Sequence, residues 1–115
     1  PEHLAEGLSP HGIVERWFFG RSVPAVTHVV DTSPALERQV EAVLCHRTPL
    51  ANIVAQMRMQ ARTAGHRSAL LDRAEAGEPR PLVEAMLQAA AARKGEPFGL
   101  RAAEWLRLHR AALPP

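Results

Sequence analysis

Two stretches of sequence decide the fold: PEHLAEGLSPHGIVERWFFG at residues 1–20 and THVVDTSPALERQVEAVLCHRT at residues 27–48. The β-branched and aromatic residues of positions 13–19, bounded by glycines, predict a strand. A second short strand is predicted over residues 26–31, where two valines are adjacent. Such continuous apolar runs are typical of a strand buried on both faces, as in a parallel sheet.

A helix is predicted to follow the second strand. Ser33 is a favourable N-cap residue, Pro34 suits the first helical position, and Asp31 adds negative charge near the positive end of the helix dipole. Apolar residues then recur at i, i+4, i+7 and i+8, which is one face of a helix that closes on Cys45-His46. The stripe consists of Leu36, Val40, Val43 and Leu44.

The rest of the chain is predicted to be helical. A cap-plus-proline signal at residues 48–49 opens a helix that should end near Gly65, a residue type suited to a left-handed C-cap. Residues 72–80 are polar and contain glycine and proline, which predicts a surface loop. Pro81 begins another helix, and residues 98–108 form a last element. The inward-facing residues are expected to be Leu50, Ile53, Val54 and Met57 in the first of these helices, and Leu82, Val83, Met86, Leu87 and Ala90 in the second.

The sequence therefore predicts the α/β class, with two short strands followed mainly by helices. Two strands do not make a stable sheet by themselves. We therefore expect neighbouring strands that this chain does not supply. The chain also begins at Pro1, in mid-pattern and without an initiator methionine. It is expected to be a piece of a larger protein.

Composition sets outer limits on function. With 115 residues and 46% hydrophobic residues the chain can bury one modest core. It contains no apolar run long enough to cross a membrane, and its single cysteine excludes an internal disulfide framework. A reducing compartment, the cytoplasm, is expected. The basic residues are almost all arginine, which a GC-rich bacterial genome explains as well as any chemistry does.

The six histidines do not predict a metal site within the chain, because no His-x3-His or Cys-x2-Cys pair occurs. His11 and His28 are candidates for lining a ligand pocket, and so is Asp31, which leaves its strand at the carboxyl end where α/β sheets bind ligands. The alternative interpretation is structural: His11 in a turn, His28 at a strand edge and Asp31 as a helix cap. Cys45-His46 is more typical of a buried thiol beside a histidine than of a catalytic pair.

Charge is distributed unevenly: no acidic residue occurs from Ala42 to Leu71, while several arginines do. Arg58 and Arg62 lie four residues apart on one predicted helix face, where they could bind a carboxylate or phosphate. The alternatives are a solvated face or pairing with acids outside the chain. Met57 and Met59 should point to different faces, leaving at least one exposed near a pocket mouth.

Other classes of function stay open at this point. A small basic helical module that binds nucleic acid would use the same acid-free stretch. Few aromatic residues and a net charge of only +2 argue against it. A non-catalytic assembly domain held by its apolar strands is a further alternative.

The motifs of residues 1–48 resemble those in the C-terminal half of the PIG-L (LmbE-like) N-acetylglucosaminyl deacetylases. In that family a Gly-Leu-x-Pro-His turn precedes a strand, and a Val-Asp-(Val/Ile)-Thr strand end opens a helix that closes on His-x-Ser-Gln. Thr32 and residues 48–49 depart from the pattern, since Thr32 follows the aspartate directly and Thr-Pro replaces Ser-Gln. The matching residues are Gly7, Leu8, Pro10, His11, Val30, Asp31 and His46, with Glu37, Ala42 and the closing Ala103-Glu104-Trp105 at familiar positions.

The resemblance implies a Rossmann-like fold and a zinc-dependent hydrolase that removes acetyl from an amino sugar. It implies a zinc site built from an N-terminal His-Pro-Asp-Asp motif and a later histidine, with the first aspartate as general base on the zinc-bound water. No His-Pro-Asp-Asp motif occurs in these 115 residues. The zinc ligands are therefore expected in an N-terminal catalytic half, the expected partner of this chain.

Within such an enzyme, residues 1–48 are expected to complete the sheet and residues 49–115 to wall the substrate cleft. The substrate would be an amino-sugar glycoconjugate, such as a thiol-cofactor precursor or a glycopeptide antibiotic. No nucleic acid or membrane partner is expected. The residues expected to contact the substrate are His11, His28, Asp31, Arg58 and Arg62.

Overall fold

Three strands and four α-helices are present in the part of the chain that the computed structural model describes, which is residues 5–7, 12–19 and 25–111. Single turns of 3-10 helix cover Ser33–Ala35 and Glu96–Phe98. The strands are β1 (Glu15–Phe19), β2 (His28–Asp31) and β3 (Ala103–Arg110). The helices are α1 (Leu36–Cys45), α2 (Arg47–Thr63), α3 (Ala69–Glu75) and α4 (Arg80–Gly95).

The chain divides into two compact units. One unit comprises residues 31–104 and contains all four helices; the other comprises residues 1–30 with 105–115 and contains most of the sheet. The boundary between them falls within β2 and β3. The predicted mixed α/β class is confirmed by these elements, and the predicted strands at residues 13–19 and 26–31 are confirmed to within two residues at their starts.

The sheet has the strand order β1-β3-β2. β1 pairs with β3 in antiparallel register from Glu15 opposite Arg110 to Phe19 opposite Leu106. The Arg110 guanidinium also donates to the Glu15 carboxylate across this pair, at 3.0 Å. The strand that completes the sheet is thus supplied by the end of the chain.

β3 also runs antiparallel to β2. The Thr27 backbone N–H donates to the Leu106 carbonyl at 3.0 Å, and the Thr32 N–H donates to the Ala102 carbonyl at 3.1 Å. Position numbers rise along one strand while they fall along the other, which is the antiparallel pattern.

Three expectations about the sheet are wrong. The remainder of the chain is not wholly helical, because residues 103–110 form β3. The chain is not limited to two strands. β2 is not buried on both faces in a parallel sheet, since its partner is antiparallel and Val30 is 44% exposed. The adjacent valines indicated more burial than this edge strand has, because Val29 is half-buried and Val30 is exposed.

The core of the helical unit lies where the four helices meet. The apolar stripe predicted for α1 is confirmed, with Val40 buried and Val43 and Leu44 packed against the core. The faces of the later helices were only partly predicted: Ile53 and Met86 are exposed, and the buried alanine of α4 is Ala91 rather than Ala90. The buried residues of this cluster are Val40, Leu50, Val54, Leu71, Leu82 and Val83.

The helix α3 was not predicted, because residues 72–80 were interpreted as a loop. Ser68 caps this helix, and its hydroxyl accepts the Leu71 N–H at 3.4 Å. The turn itself is confined to the residues after Glu75, where Gly77 has a φ of 97°. At the preceding turn Gly65 has a φ of 69°, so the predicted left-handed residue after α2 is confirmed.

Arg80 connects α4 to α1. Its guanidinium donates to Glu37 at 3.0 Å, to Glu41, and to Glu84 of its own helix at 3.3 Å. Hydrogen bonds to Glu41, then to Glu37 and Glu84, raise the pKa of Arg80 above its ordinary value. Because the Arg80 side chain is partly exposed, water screens these ion pairs, and they orient the two helices more than they stabilise them.

The end of α4 leaves no room for a side chain at Gly95. A Cβ there would overlap the Leu100 carbonyl oxygen and lie 3.2 Å from the Ala102 nitrogen. The chain folds back over this glycine, and the Leu100 N–H donates to the Gly95 carbonyl at 3.1 Å. This close approach brings the chain directly from α4 into β3.

We expect Gly95→Ala to lower the free energy of unfolding by about 1–3 kcal/mol, because the added methyl forces the backbone of Leu100 to move. The matched variant Ala89→Gly, at an exposed position of α4, should lower it by about 1 kcal/mol through helix propensity. Urea unfolding followed by circular dichroism measures both. If alanine stabilises position 95 as it does an ordinary helix site, the close approach is contradicted.

Candidate functional site

An open groove of about 1110 Å³ runs along α2 within the helical unit. Small and apolar side chains form its floor, and we call it the α2 groove. Three arginines of the same helix border it, Arg47, Arg58 and Arg62. The apolar lining residues are Leu44, Leu50, Ala51, Val54, Ala55, Met59, Ala74, Gly77 and Pro79, and the remaining polar ones are Thr63 and Glu75.

The periodicity of α2 explains this composition. Arg47, Ala51, Ala55, Arg58 and Arg62 are separated by steps of three or four residues, which places them along one face of a helix. The neighbouring stripe is anchored in the core by buried residues. The groove face is therefore held in place by the packing behind it.

The Arg58 side chain forms ion pairs with two carboxylates of the next helix. Its guanidinium pairs with Asp72, and at 2.6 Å with Glu75, while the arginine side chain is 33% exposed. The sequence pattern predicted a guanidinium available for a ligand, with a solvated face or pairing with acids outside the chain as the alternatives. The acids instead come from α3, and a ligand would have to compete with them.

The guanidinium groups of Arg47 and Arg62 make no hydrogen bond or ion pair with any residue within the described ranges. Both are exposed. Arg62 was predicted as a candidate binding residue, and the structure brings it to the same groove as Arg58. Arg47 was not predicted as one, although its spacing of eleven from Arg58 is a helical repeat that could have identified it.

The two methionines of α2 point to different sides, as predicted. Met57 packs against the core, whereas Met59 is 64% exposed and lines the groove. An exposed thioether beside alanines provides an adaptable apolar surface.

Of the two candidate histidines, His28 does not line the α2 groove. His11 lies outside the described residues. His28 is exposed on β2, with its Nδ1 2.9 Å from the Thr27 Oγ1. Its ring meets the ring of Trp17 on β1 edge to face, with centroids 4.9 Å apart. These contacts give His28 a structural environment, and its predicted role in binding a substrate stays a prediction.

Asp31 serves the start of the first helical segment. Its carboxylate accepts the Ser33 N–H, the first N–H of the 3-10 turn, at 2.8 Å. The predicted N-cap at Ser33 is wrong, because Thr32 is the N-cap residue and makes no side-chain cap hydrogen bond. Hydrogen bonds from the side chain and backbone of Ser33, and then the charge of Arg101, hold the pKa of Asp31 below its ordinary value. His28 and Asp31 are three residues apart on one strand, which directs their side chains to opposite faces.

Among the described residues no group of three or more His, Cys, Asp or Glu is placed to hold a metal ion. Cys45 is exposed, as is His46, so the expected buried thiol beside a histidine is wrong. The residues of the described ranges therefore do not fit a zinc site. None of the described helices is both long enough and apolar enough to cross a membrane.

Comparisons with known proteins add no relative: no protein-family model, curated protein or solved structure matches the chain. Function is therefore inferred from the sequence pattern and from the described geometry alone.

The lowered pKa of Asp31 predicts a pH effect on stability. The ionised Asp31 carboxylate stabilises the folded state. This contribution is fully present above the ordinary pKa of 3.8, and it is lost as pH falls through the lower pKa of the folded state. Asp31→Asn keeps an acceptor for the Ser33 N–H but removes the titration. Melting temperatures measured from pH 6 downward to about pH 2 should fall less steeply for Asp31→Asn than for the wild type. Parallel profiles would contradict the assignment.

Proposed function

We propose that this chain is the C-terminal part of a zinc-dependent hydrolase that removes acetyl from an N-acetylglucosaminyl group of a glycoconjugate. The observation that supports it is the meeting of three motif segments in one sheet. The segments that resemble the PIG-L pattern supply β1, β2 and the start of β3. They lie far apart in the sequence, and such a meeting is expected if the likeness reflects a common fold.

The exposure of β1 also supports the proposal. Trp17 is 47% exposed, Phe18 50% and Phe19 78%, and alternation along the strand places these aromatic side chains on both faces. β1 is an edge of the described sheet. Aromatic residues on both faces suit a strand inside a larger, covered sheet better than one in water. We infer that the N-terminal catalytic half adds its sheet to β1.

The residues of this chain determine which parts of the proposed enzyme must lie in another polypeptide segment. Zinc supplies an acidified water in hydrolases of this kind, but the described residues do not fit the metal. The proposal therefore requires a His-Pro-Asp-Asp motif and a further histidine in another polypeptide segment. This chain would complete the sheet and wall the cleft. The candidate contacts to the substrate are His11, His28, Asp31, Arg58 and Arg62; because His28 and Asp31 point to opposite faces of β2, one sugar ring would contact only one of these two. A thiol-cofactor precursor or a glycopeptide antibiotic, handled in the cytoplasm of a bacterium, is the proposed type of substrate.

The direct test is reconstitution. This chain is combined with a segment encoded beside it or in frame with it that carries the His-Pro-Asp-Asp motif. Acetate release from an N-acetylglucosaminyl glycoside should then require both polypeptides and be abolished by a chelator. Absence of such a segment, or no acetate from the reconstituted pair, overturns the proposal. A stable homo-oligomer without activity would favour the assembly domain, and salt-sensitive DNA or RNA binding by this chain alone would favour the nucleic-acid module.

The exposed aromatic strand provides a sharper test. Phe19→Ser should weaken association with the catalytic half by at least about tenfold, because a large apolar side chain buried at an interface contributes more than about 1.4 kcal/mol. The folded state of the chain itself should change little, since Phe19 is exposed. Pull-down titration and circular dichroism measure the two effects.

The matched control is Phe98→Ser, which removes the same side chain at an exposed position in the 3-10 turn after α4. It should leave association unchanged. Equal effects of the two substitutions would mean that β1 is not the contact.

A further inference from the structure

We propose that the α2 groove is a docking site for an acidic amphipathic helix of a partner protein. This inference does not depend on the proposed hydrolase function. It rests on the length of the groove, on the small residues of its floor and on the two arginines at its ends.

The shape of the groove favours a helix over a small molecule. Arg47 and Arg62 are fifteen positions apart on one helix, which corresponds to about 22 Å along its axis. Between them lie Ala51 and Ala55, both exposed, whose methyl groups allow another helix to approach closely. The volume of about 1110 Å³ exceeds the usual range of roughly 300–1,000 Å³ for small-ligand pockets.

The charge of the groove selects an acidic partner. Arg47 and Arg62 have no ion-pair partner within the described ranges, and no acidic residue occurs from Ala42 to Leu71. Arg58 at the middle is already paired with Asp72 and Glu75 of α3. The partner helix should therefore place carboxylates near its two ends, about 22 Å apart. Small or apolar residues every three or four positions should lie between them.

A second copy of this chain does not fit the same face. Two α2 helices packed antiparallel about a two-fold axis would bring Arg47 of each copy against Arg62 of the other. No carboxylate in this stretch could neutralise them, and like charges across an interface oppose association. The nearest acid that lines the groove, Glu75, is engaged by Arg58.

Nucleic acid fits less well than a helix. Duplex DNA carries a phosphate for roughly every 1.7 Å of its axis, whereas the groove offers two unpaired guanidinium groups on residues about 22 Å apart along the helix axis. The surface between them is formed by leucine, alanine, valine and methionine side chains, together with Arg58, whose charge is already paired with α3. Such a floor matches the apolar stripe of an amphipathic helix.

The test uses two synthetic helical peptides of about 18 residues, a length that spans the groove. Both carry the same alanine and leucine stripe; one has glutamates at both ends and the other has lysines. Fluorescence anisotropy should give saturable binding of the acidic peptide to the chain, at least about tenfold tighter than that of the basic peptide. Binding should weaken as salt increases.

Charge reversal identifies the arginines. The double variant Arg47→Glu with Arg62→Glu should lose at least about tenfold in affinity for the acidic peptide and gain affinity for the basic one. The matched control is Arg38→Glu with Arg93→Glu, two exposed arginines that make no described ion pair and do not line the groove. The control double variant should change the affinity for the acidic peptide by less than about threefold, because it alters only charges far from the groove, which salt screens.

A third variant tests the shape independently of charge. Ala55→Trp fills the exposed floor of the groove and should weaken binding of the acidic peptide by at least about tenfold. Circular dichroism should report an unchanged fold. The proposal is overturned by equal binding of the two peptides, by an equal loss in the control double variant, or by no saturable binding. Binding of N-acetylglucosamine 6-phosphate that requires Arg62, without peptide binding, would assign the groove to a sugar ligand instead.

Discussion

The pairing of β3 with strands from the beginning of the chain is the constraint on which the sheet depends. β3 lies between β1 and β2, and without it neither strand has a hydrogen-bonded neighbour in the described sheet. The helical unit makes this pairing possible because its two ends meet. The Thr32 N–H donates to the Ala102 carbonyl at 3.1 Å, and the Arg101 guanidinium donates to the Ser33 carbonyl at 3.2 Å. Because the packed helices hold these two ends together, β2 and β3 can pair without the entropic cost of closing a flexible connection of that length.

Local signals predicted three of the four helices but neither the short helix α3 nor the last strand. The stripe of α1 and the left-handed Gly65 depend on residues close in sequence, so periodicity and turn chemistry reveal them. β3 contains several leucines and arginines, which favour a helix when considered alone, and it becomes a strand because two partners are available. The short helix α3 could have been predicted, since Ser68 is a good N-cap that precedes two leucines. Because of Gly77 and Pro79, the predicted loop began at residue 72, which lies within α3.

The sequence predicted part of the candidate site, as it predicted part of the fold. The spacing of Arg58 and Arg62 was sufficient to place both on one face, and it does place both at one groove. The neutralisation of Arg58 could not be predicted, because Asp72 and Glu75 lie on a helix that the sequence did not reveal. The capping role of Asp31 was considered only as an alternative to ligand binding, whereas Ser33 was expected to be the cap.

The separation of Arg47 from Arg62 determines how the groove can act. The two residues are about 22 Å apart along the helix axis, which is more than two Debye lengths at physiological salt. Their mutual repulsion is therefore screened, and leaving both without ion-pair partners costs the fold little. For the same reason a small anion held at one arginine gains almost nothing from the other. A ligand contacts both only if it is about 22 Å long, and a rigid ligand binds more tightly because a flexible chain loses conformational entropy on spanning the groove. A preformed helix meets both conditions, so the distance between two unpaired arginines favours it as the occupant of the groove.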